Sequence, residues 1–327
     1  MALRAIQRVR DRFEGRATLI LKSRLELQLI QIAFPDLAAG ALVAASFPGP
    51  RLRQWASIAR RLRSIGVTHV AGLHLRDTFQ ARAVVRLTGA SDAHFNSFDP
   101  YEGRHKVAQY ATIADRVTGE VVDHVSFRLQ EFIGMRGREI VLAPGSGVIE
   151  AHKRWPAERY AELIQLLSSR DSSARFVLLG AANERPLLES IAGAATANRD
   201  AIRIVAGVSV RESLELLGKA RSAIGGCSGS LHLAALVDAP IIGVYGPTNP
   251  GWTGPAGHTV RIVRADFDCA PCYSMDFIRG CGHPQCMTRV SAEAVAAALV
   301  EMEAGRSADD LPWFPLSHLR VATASRV

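Results

Sequence analysis

From Glu139 to Met302 the chain repeats one rhythm, and that rhythm restricts the folds open to it. Short apolar runs (EIVLAP, RFVLLG, IRIVAG, SAIGG, IIGVYG and TVRIVR) alternate with amphipathic ones (WPAERYAELIQLL, ERPLLESIAG, VRESLELLGKA, GSLHLAALV and SAEAVAAALVEM). A strand that is apolar at successive positions must bury both faces. A helix between consecutive strands is the crossover that parallel pairing requires. The pattern predicts a doubly wound α/β domain, with ligands at the carboxyl ends of its strands.

Before Glu139 the pattern is less regular. ATLILKS and THVAGLHL read as strands, and RLRQWASIARRLRSIG as a helix with a stripe of Leu52, Trp55, Ala59 and Leu62. GRHKVAQYATIADRVTG reads as another helix, and the stretch Ser126–Arg138 as a linker. A chain of 327 residues accommodates two domains. The expected division is 1–130, 131–305 and a C-terminal tail over 306–327, whose two prolines and weak periodicity mark it as an appendage.

The net charge of +8 is unevenly placed: up to Gly66 there are 12 lysines and arginines against 4 acids. A basic segment suits an anionic partner such as a phosphorylated glycolipid or an acidic membrane surface; it is also what solvated helix faces look like. No recognisable nucleic-acid motif accompanies the charge, so nucleic acid is not an expected partner. No apolar run reaches the ~18 residues of a membrane span. The opening residues lack the apolar region of a secretory signal. A cytoplasmic location follows as the expectation, with a peripheral place on the inner face of the inner membrane as its extension.

Two segments carry the chemistry. In PGSGVIEAHKRWPAERY, Pro144-Gly145-Ser146-Gly147 makes a small-residue loop at the end of a strand, where backbone N–H groups can approach an anion. Lys153 and Arg154 precede Pro156, expected as the first residue of a helix. The alternative is an ordinary strand–turn–helix with surface basics. In GGCSGSLHLAALVDAPIIGVYGPTNP, Ser228 and Gly229 open a helix and His232 lies one turn inside it, on the same face as Ser228. That helix start suits a diphosphate, and the histidine can donate to a phosphate or sugar oxygen, although a histidine on an apolar helix also serves as a core residue. Gly246-Pro247-Thr248 turns at the same sheet edge.

Of five cysteines, four follow the spacing C-x2-C-x8-C-x4-C at Cys269, Cys272, Cys281 and Cys286. Without a secretory signal a disulfide framework is not expected. Two close pairs of thiolates suit a tetrahedral zinc or iron, with His283 as an alternative ligand; four reduced thiols are the other reading. A full cysteine shell leaves no open position, so any metal would be structural.

These motifs resemble glycosyltransferase family 9, the heptosyltransferase group. The likeness rests on a strand followed by P-G-S, a lysine and W-P, then S-G-x-x-H-L-A-A and A-P-I-I-G-V-Y-G-P-T, and a cysteine-bearing segment before the last helix. It is weak before Arg138 and strong from Ile140 to Met302. The resemblance implies a GT-B fold, two Rossmann-like domains facing across a cleft, with an inverting transfer that needs no catalytic metal or other cofactor. The C-terminal domain would take the donor, usually ADP-heptose, and the N-terminal domain an anionic lipid-linked acceptor of the lipopolysaccharide core. It implies that Lys153 holds the donor phosphates beside Ser146 or Gly147, and that Glu184 of GAANE meets the ribose. Cys227, Ser228, Gly229 and His232 would line the diphosphate, with Lys153 and His232 as the catalytic pair.

Two departures qualify the likeness. The family's G-D-x-x-x-x-x-P segment, with the aspartate thought to deprotonate the acceptor, has no counterpart here. MALRAIQRVRDRF matches the helix that follows that segment, so the N-terminal domain is expected to lack its first strand. Glu26 in SRLEL would misplace every later strand if aligned as a replacement. Second, Cys227 stands where the family has aspartate, and a thiol supplies neither the charge nor the acceptor strength of a carboxylate. Three functional classes follow: a heptosyltransferase-like enzyme, a sugar-nucleotide-binding homologue with impaired catalysis, and another GT-B enzyme such as a UDP-sugar epimerase.

Overall fold

The computed structural model describes residues 2–21, 23–43, 51–76, 79–96, 105–121, 127–195, 199–272 and 284–305. The chain divides into two compact units, Met1–Phe127 and Arg128–Val327.

In the N-terminal unit, α1 (Leu3–Arg12), β1 (Ile20–Leu21), α2 (Arg24–Ala33), α3 (Pro35–Ala38) and β2 (Leu42–Val43) come first. They are followed by α4 (Arg51–Ser64), β3 (His69–Arg76), α5 (Phe79–Thr88), β4 (Asp92–Asn96) and α6 (Lys106–Thr118). Its described strands form two parallel pairs, β1 with β2 and β3 with β4. The strand expected in ATLILKS shrinks to two residues, with Ile20 36% exposed and only Leu42–Val43 to pair with. Helix α4 buries Ile58, Ala59 and Leu62. Helix α6 ends at Gly119, whose φ of 74° is the left-handed cap that glycine adopts without strain.

The C-terminal unit follows the expected rhythm. Its strands are β5 (Glu139–Ala143), β6 (Arg175–Gly180), β7 (Ile202–Ala206), β8 (Ser222–Gly225), β9 (Ile241–Val244) and β10 (Val260–Val263). Helices α7 (Ala157–Arg170), α8 (Arg185–Ala194), α9 (Val210–Gly218) and α10 (Gly229–Leu236) connect successive strands. Short α11 (Pro250–Thr253), then α12 (Gln285–Thr288) and α13 (Ala292–Glu303), complete it. All pairings are parallel, and the order β7-β6-β5-β8-β9-β10 is the doubly wound 3-2-1-4-5-6 arrangement. Strands β5, β8 and β9 are buried along nearly their whole length, which is why they read as unbroken apolar runs.

Local signals start the helices. Ser209 and Glu212 cap α9 reciprocally: Ser209 Oγ accepts from Glu212 N at 3.2 Å and Glu212 Oε2 from Ser209 N at 2.8 Å. Ser291 caps α13 in one direction, its Oγ accepting from Ala294 N at 3.2 Å. Trp155 is fully buried, donates to the Val290 carbonyl at 2.9 Å and meets Tyr160 edge-on at 4.7 Å, tying the loop after β5 to the C-terminal helix. Pro156 departs from expectation. Its ψ of 144° places it at the N-cap of α7, one residue before the helix.

Candidate functional site

The chain reverses direction across the sheet between β5 and β8, which lie side by side. The loops that follow them, Pro144–Gly147 and Gly226–Ser228, therefore emerge at adjacent carboxyl ends, the place where an open α/β sheet leaves a crevice. Both sequence motifs lie there.

Their contacts are close. The loop after β5 runs into a 3-10 helix, Val148–Lys153, which bends it back toward β8. A Cβ placed on Gly226 would lie 3.1 Å from the Lys153 carbonyl oxygen, so Lys153 and the start of α10 are neighbours. The Lys153 side chain is only 7% exposed, and its Nζ donates to Glu150 Oε1 at 2.6 Å. Arg154 holds the loop from the other side: Nε donates to Ser146 Oγ and a terminal nitrogen to the Ser146 carbonyl, each at 3.1 Å. Ser146 Oγ in turn donates to the Glu150 carbonyl at 2.9 Å. Gly147 is exposed.

Glu184 joins the same loop. It accepts a hydrogen bond from Ala181 N at 2.8 Å and lies 4.0 Å from an Arg154 nitrogen. Its carboxylate occupies the space beside Gly145, where a Cβ would come within 2.1 Å of Oε1, so a side chain at 145 would push the Glu184 carboxylate aside. The lysine, the serine–glycine loop and the expected ribose partner are thus assembled within one shell.

At the other rim, Ser228 occupies the N-cap of α10 and Gly229, its first residue, is exposed. A serine at this position ordinarily accepts from an amide of the first turn. Here no such bond forms, and the buried Ser228 Oγ has no hydrogen-bond partner among the described residues. Together with the free amides of a helix start it makes a place for an anion. His232 is half-buried one turn further on.

Cys227 sits between the rims, half-buried, with Sγ 3.7 Å from Thr253 Oγ1. The phenol of Tyr245 lies against it, and burial, with Cys227 second, pushes that phenol's pKa well above its ordinary value. His152, beside Lys153, is held below the ordinary imidazole value by burial and by the lysine's charge. Glu150, Tyr245 and Thr253 went unnoticed in the sequence; only Glu150, three residues before Lys153, carried a spacing signal.

A model of the family described as glycosyltransferase family 9 (heptosyltransferase) matches residues 106–281, more than half of the chain. The chain belongs to glycosyltransferase family 9. Lipopolysaccharide heptosyltransferase 1 of Pseudomonas aeruginosa is 29% identical to it over 265 residues, 73% of this chain and 69% of that protein. Among solved structures, the E. coli ADP-heptose lipopolysaccharide heptosyltransferase II superposes with a TM-score of 0.68 at 16% identity, covering 93% of this chain and 94% of that one. The dodecameric iron-containing heptosyltransferase TibC of enterotoxigenic E. coli, in complex with ADP-D-β-D-heptose, gives 0.56 at 15% identity, over 93% of this chain and 72% of that one. The fold class of this family 9 chain is accordingly GT-B.

The cysteine segment is described in part. Cys269 is exposed, Cys272 half-buried, and Cys286 buried against Gly246, in the turn after β9. Cys281 and His283 lie outside the described residues. Among the described residues no three His, Cys, Asp or Glu side chains group as metal ligands would. Glu26 lies in the first turn of α2, its amide bonded to Ser23 Oγ, and its charge reaches Tyr110. Among the described residues no helix is long and apolar enough to cross a membrane.

Proposed function

We propose that this family 9 chain transfers a heptose, or a related sugar, from ADP-heptose to a lipopolysaccharide core or similar anionic acceptor, with inversion. The observation that carries the reading is the meeting of the Ser146–Gly147 loop, Lys153 and the Ser228 helix start at one crevice of the donor-type sheet. Lys153 would exchange Glu150 for the diphosphate; Ser228 Oγ and the Gly229 amide would supply neutral donors. His232 would donate to a phosphate or sugar oxygen, and Glu184 would accept from the ribose. The acceptor hydroxyl oxygen bonds to the anomeric carbon as the bond to the diphosphate oxygen breaks, the hydroxyl proton passes to water, and the positive groups stabilise the charge that develops on the leaving group.

Release of ADP from ADP-heptose, measured with and without a lipopolysaccharide-core acceptor, tests this. Acceptor-dependent release supports the reading; turnover of UDP-sugars in place of ADP-heptose redirects it to another GT-B enzyme. The sulfur of Cys227, 3.7 Å from Thr253 Oγ1 where a carboxylate is expected, favours one second reading. That is a sugar-nucleotide-binding homologue, which would bind ADP-heptose by calorimetry without turnover. The proposal extends to a structural zinc or iron on the four cysteines, supported by their spacing; no step of the reaction is routed through it. Metal analysis of untagged protein, with roughly one ion per chain expected of a four-thiolate site, tests that part.

A further inference from the structure

The loop after β5 carries more acid than an anion-binding loop needs. Lys153 and Arg154 stand around it, and so do Glu150 and Glu184, so the formal charges cancel. Glu184 has a settled place. It accepts from Ala181 N at 2.8 Å, faces Arg154 at 4.0 Å and lies beside Gly145, with its side chain 12% exposed. Glu184 also has a ribose to meet; Glu150 has no such part.

Glu150 lies within the 3-10 segment Val148–Lys153, at a kink where its own φ of −114° and ψ of 25° leave the helical range. Its main chain is held: the amide donates to the Gly147 carbonyl at 2.8 Å and the carbonyl accepts from Ser146 Oγ at 2.9 Å. Its side chain is turned into the loop. Oε1 accepts from Lys153 Nζ at 2.6 Å, and Oε2 lies 2.9 Å from where a Cβ on Gly147 would stand. The carboxylate thus touches both the ammonium and the loop backbone, in the place where the motif would receive a phosphate. This is not an ordinary ion pair on a helix surface. The Lys153 side chain is 7% exposed, and a lysine that far from solvent is found paired. The Glu150 side chain is 25% exposed, so it has a way out that the lysine lacks.

We propose that the Glu150 carboxylate is a built-in competitor of the donor diphosphate: it holds Lys153 until the diphosphate displaces it, and its return to Lys153 speeds release of the nucleotide product. The inference rests on the reading that this loop takes a nucleoside diphosphate. A diphosphate brought into a loop whose charges already cancel leaves it net negative, and like charges that close repel. Balance returns when one carboxylate swings toward solvent and leaves both cations to the ligand. Glu184 is tied to a backbone amide and packed against Gly145, whereas Glu150 is the more exposed of the two and sits on the kink. Glu150 is therefore the one that moves. The measured affinity is then the intrinsic affinity reduced by the fraction of molecules in which Glu150 stands aside. A fraction of about one in ten, ordinary for a minor state, lowers it about tenfold.

The experiment is ADP binding by titration calorimetry, with ADP release followed by stopped flow, on the full chain and its Glu150→Gln variant. Glutamine keeps the shape and an oxygen for Lys153 but not the charge. ADP should bind about tenfold more tightly to the variant, with most of the gain appearing as slower release. Glu150→Ala, which removes the carboxylate without a substitute, should tighten ADP as well. Adenosine brings no phosphate to the loop and should bind all three chains equally. Glu189→Gln removes a carboxylate of the same unit, one paired with Arg185 on the exposed side of α8, and should leave ADP binding unchanged.

Equal or weaker ADP binding by a folded Glu150 variant overturns the inference and makes Glu150 a support that positions Lys153. A gain shared equally by ADP and adenosine overturns it too, because charge in the loop would not be what changed. Both results leave the sugar-transfer reading standing, since the wild-type chain still binds ADP. Absence of ADP binding by the wild type and both variants alike would overturn that reading, and the inference with it.

Discussion

The two units solve the same α/β problem with different means. In the C-terminal unit six strands form one continuous parallel sheet, and Val141, Leu142, Ala223 and Ile242 are wholly buried. In the N-terminal unit the described strands stand in pairs, and the exposed faces of α4 and α5 are marked by arginine. A strand buried on both faces leaves its end little freedom, so the loops after β5 and β8 have fixed places and can hold a multi-point site. Short strand pairs under charged helices define a surface instead. The difference teaches where to look for directed chemistry: at the ends of buried strands.

The sharpest way to break this division is Lys153→Ala. If the C-terminal unit alone holds the diphosphate, ADP binding by calorimetry should fall about 100-fold, since a charge-assisted hydrogen bond contributes roughly 1.5–3 kcal/mol and its loss leaves Glu150 without its cation. Reversing four arginines on α4 and α5 (Arg60→Glu, Arg61→Glu, Arg82→Glu, Arg86→Glu) should leave ADP affinity where it was. Equal losses in both variants would dissolve the contrast.

Next in size is Gly225→Ala. The added Cβ would come 2.6 Å from the Ala143 carbonyl oxygen, wedging β8 from β5 at the switch point. A destabilisation of about 1–3 kcal/mol in urea unfolding is expected from such overpacking, together with weaker ADP binding. Unchanged stability would mean that the strand ends are looser than their burial implies.

Ser228→Ala separates site from scaffold. Because Ser228 Oγ caps no amide and has no partner among the described residues, its loss should leave stability within about 0.5 kcal/mol. ADP affinity should drop up to about tenfold, the value of one hydrogen bond. A large loss of stability would show that the hydroxyl is a structural cap after all.

Much of this was legible before any coordinates. Runs such as EIVLA and SAIGG are apolar at successive positions only because both faces are covered, so strand and sheet type followed together, and the expected place of a ligand with them. The N-terminal unit was harder for a physical reason: Leu42–Val43 and Pro35–Ala38 are too short for any period to show. Helix α2 went unrecognised although Ser23, with Glu26 three residues on, is a start signal, and Ser23 does accept from the Glu26 amide. Within the site, Glu150 and Lys153 were in helical spacing but hidden in what read as a loop. The approach of Thr253 to Cys227 joins positions 26 residues apart, which no local pattern reveals.

The smallest effect expected is a pH dependence carried by His152 in the C-terminal unit. His152 is held below the ordinary imidazole value, first by burial and then by Lys153, so the unfolded chain binds its proton more readily than the folded one. Its contribution is complete above about pH 6.5 and is lost as pH falls below that. Carboxylates behave alike in both units: Asp36 is lowered by its hydrogen bond from Arg10, and Asp171 by Ser173 and then Arg221, so each loses its contribution only as pH falls below the ordinary carboxylate range. Hydrogen exchange should therefore show protection around His152 in the C-terminal unit declining as pH falls below about 6.5, and protection in both units declining below about pH 4. His152→Gln should flatten the first decline without touching the second. A decline between pH 7 and pH 5 that survives that substitution would place the titrating group elsewhere.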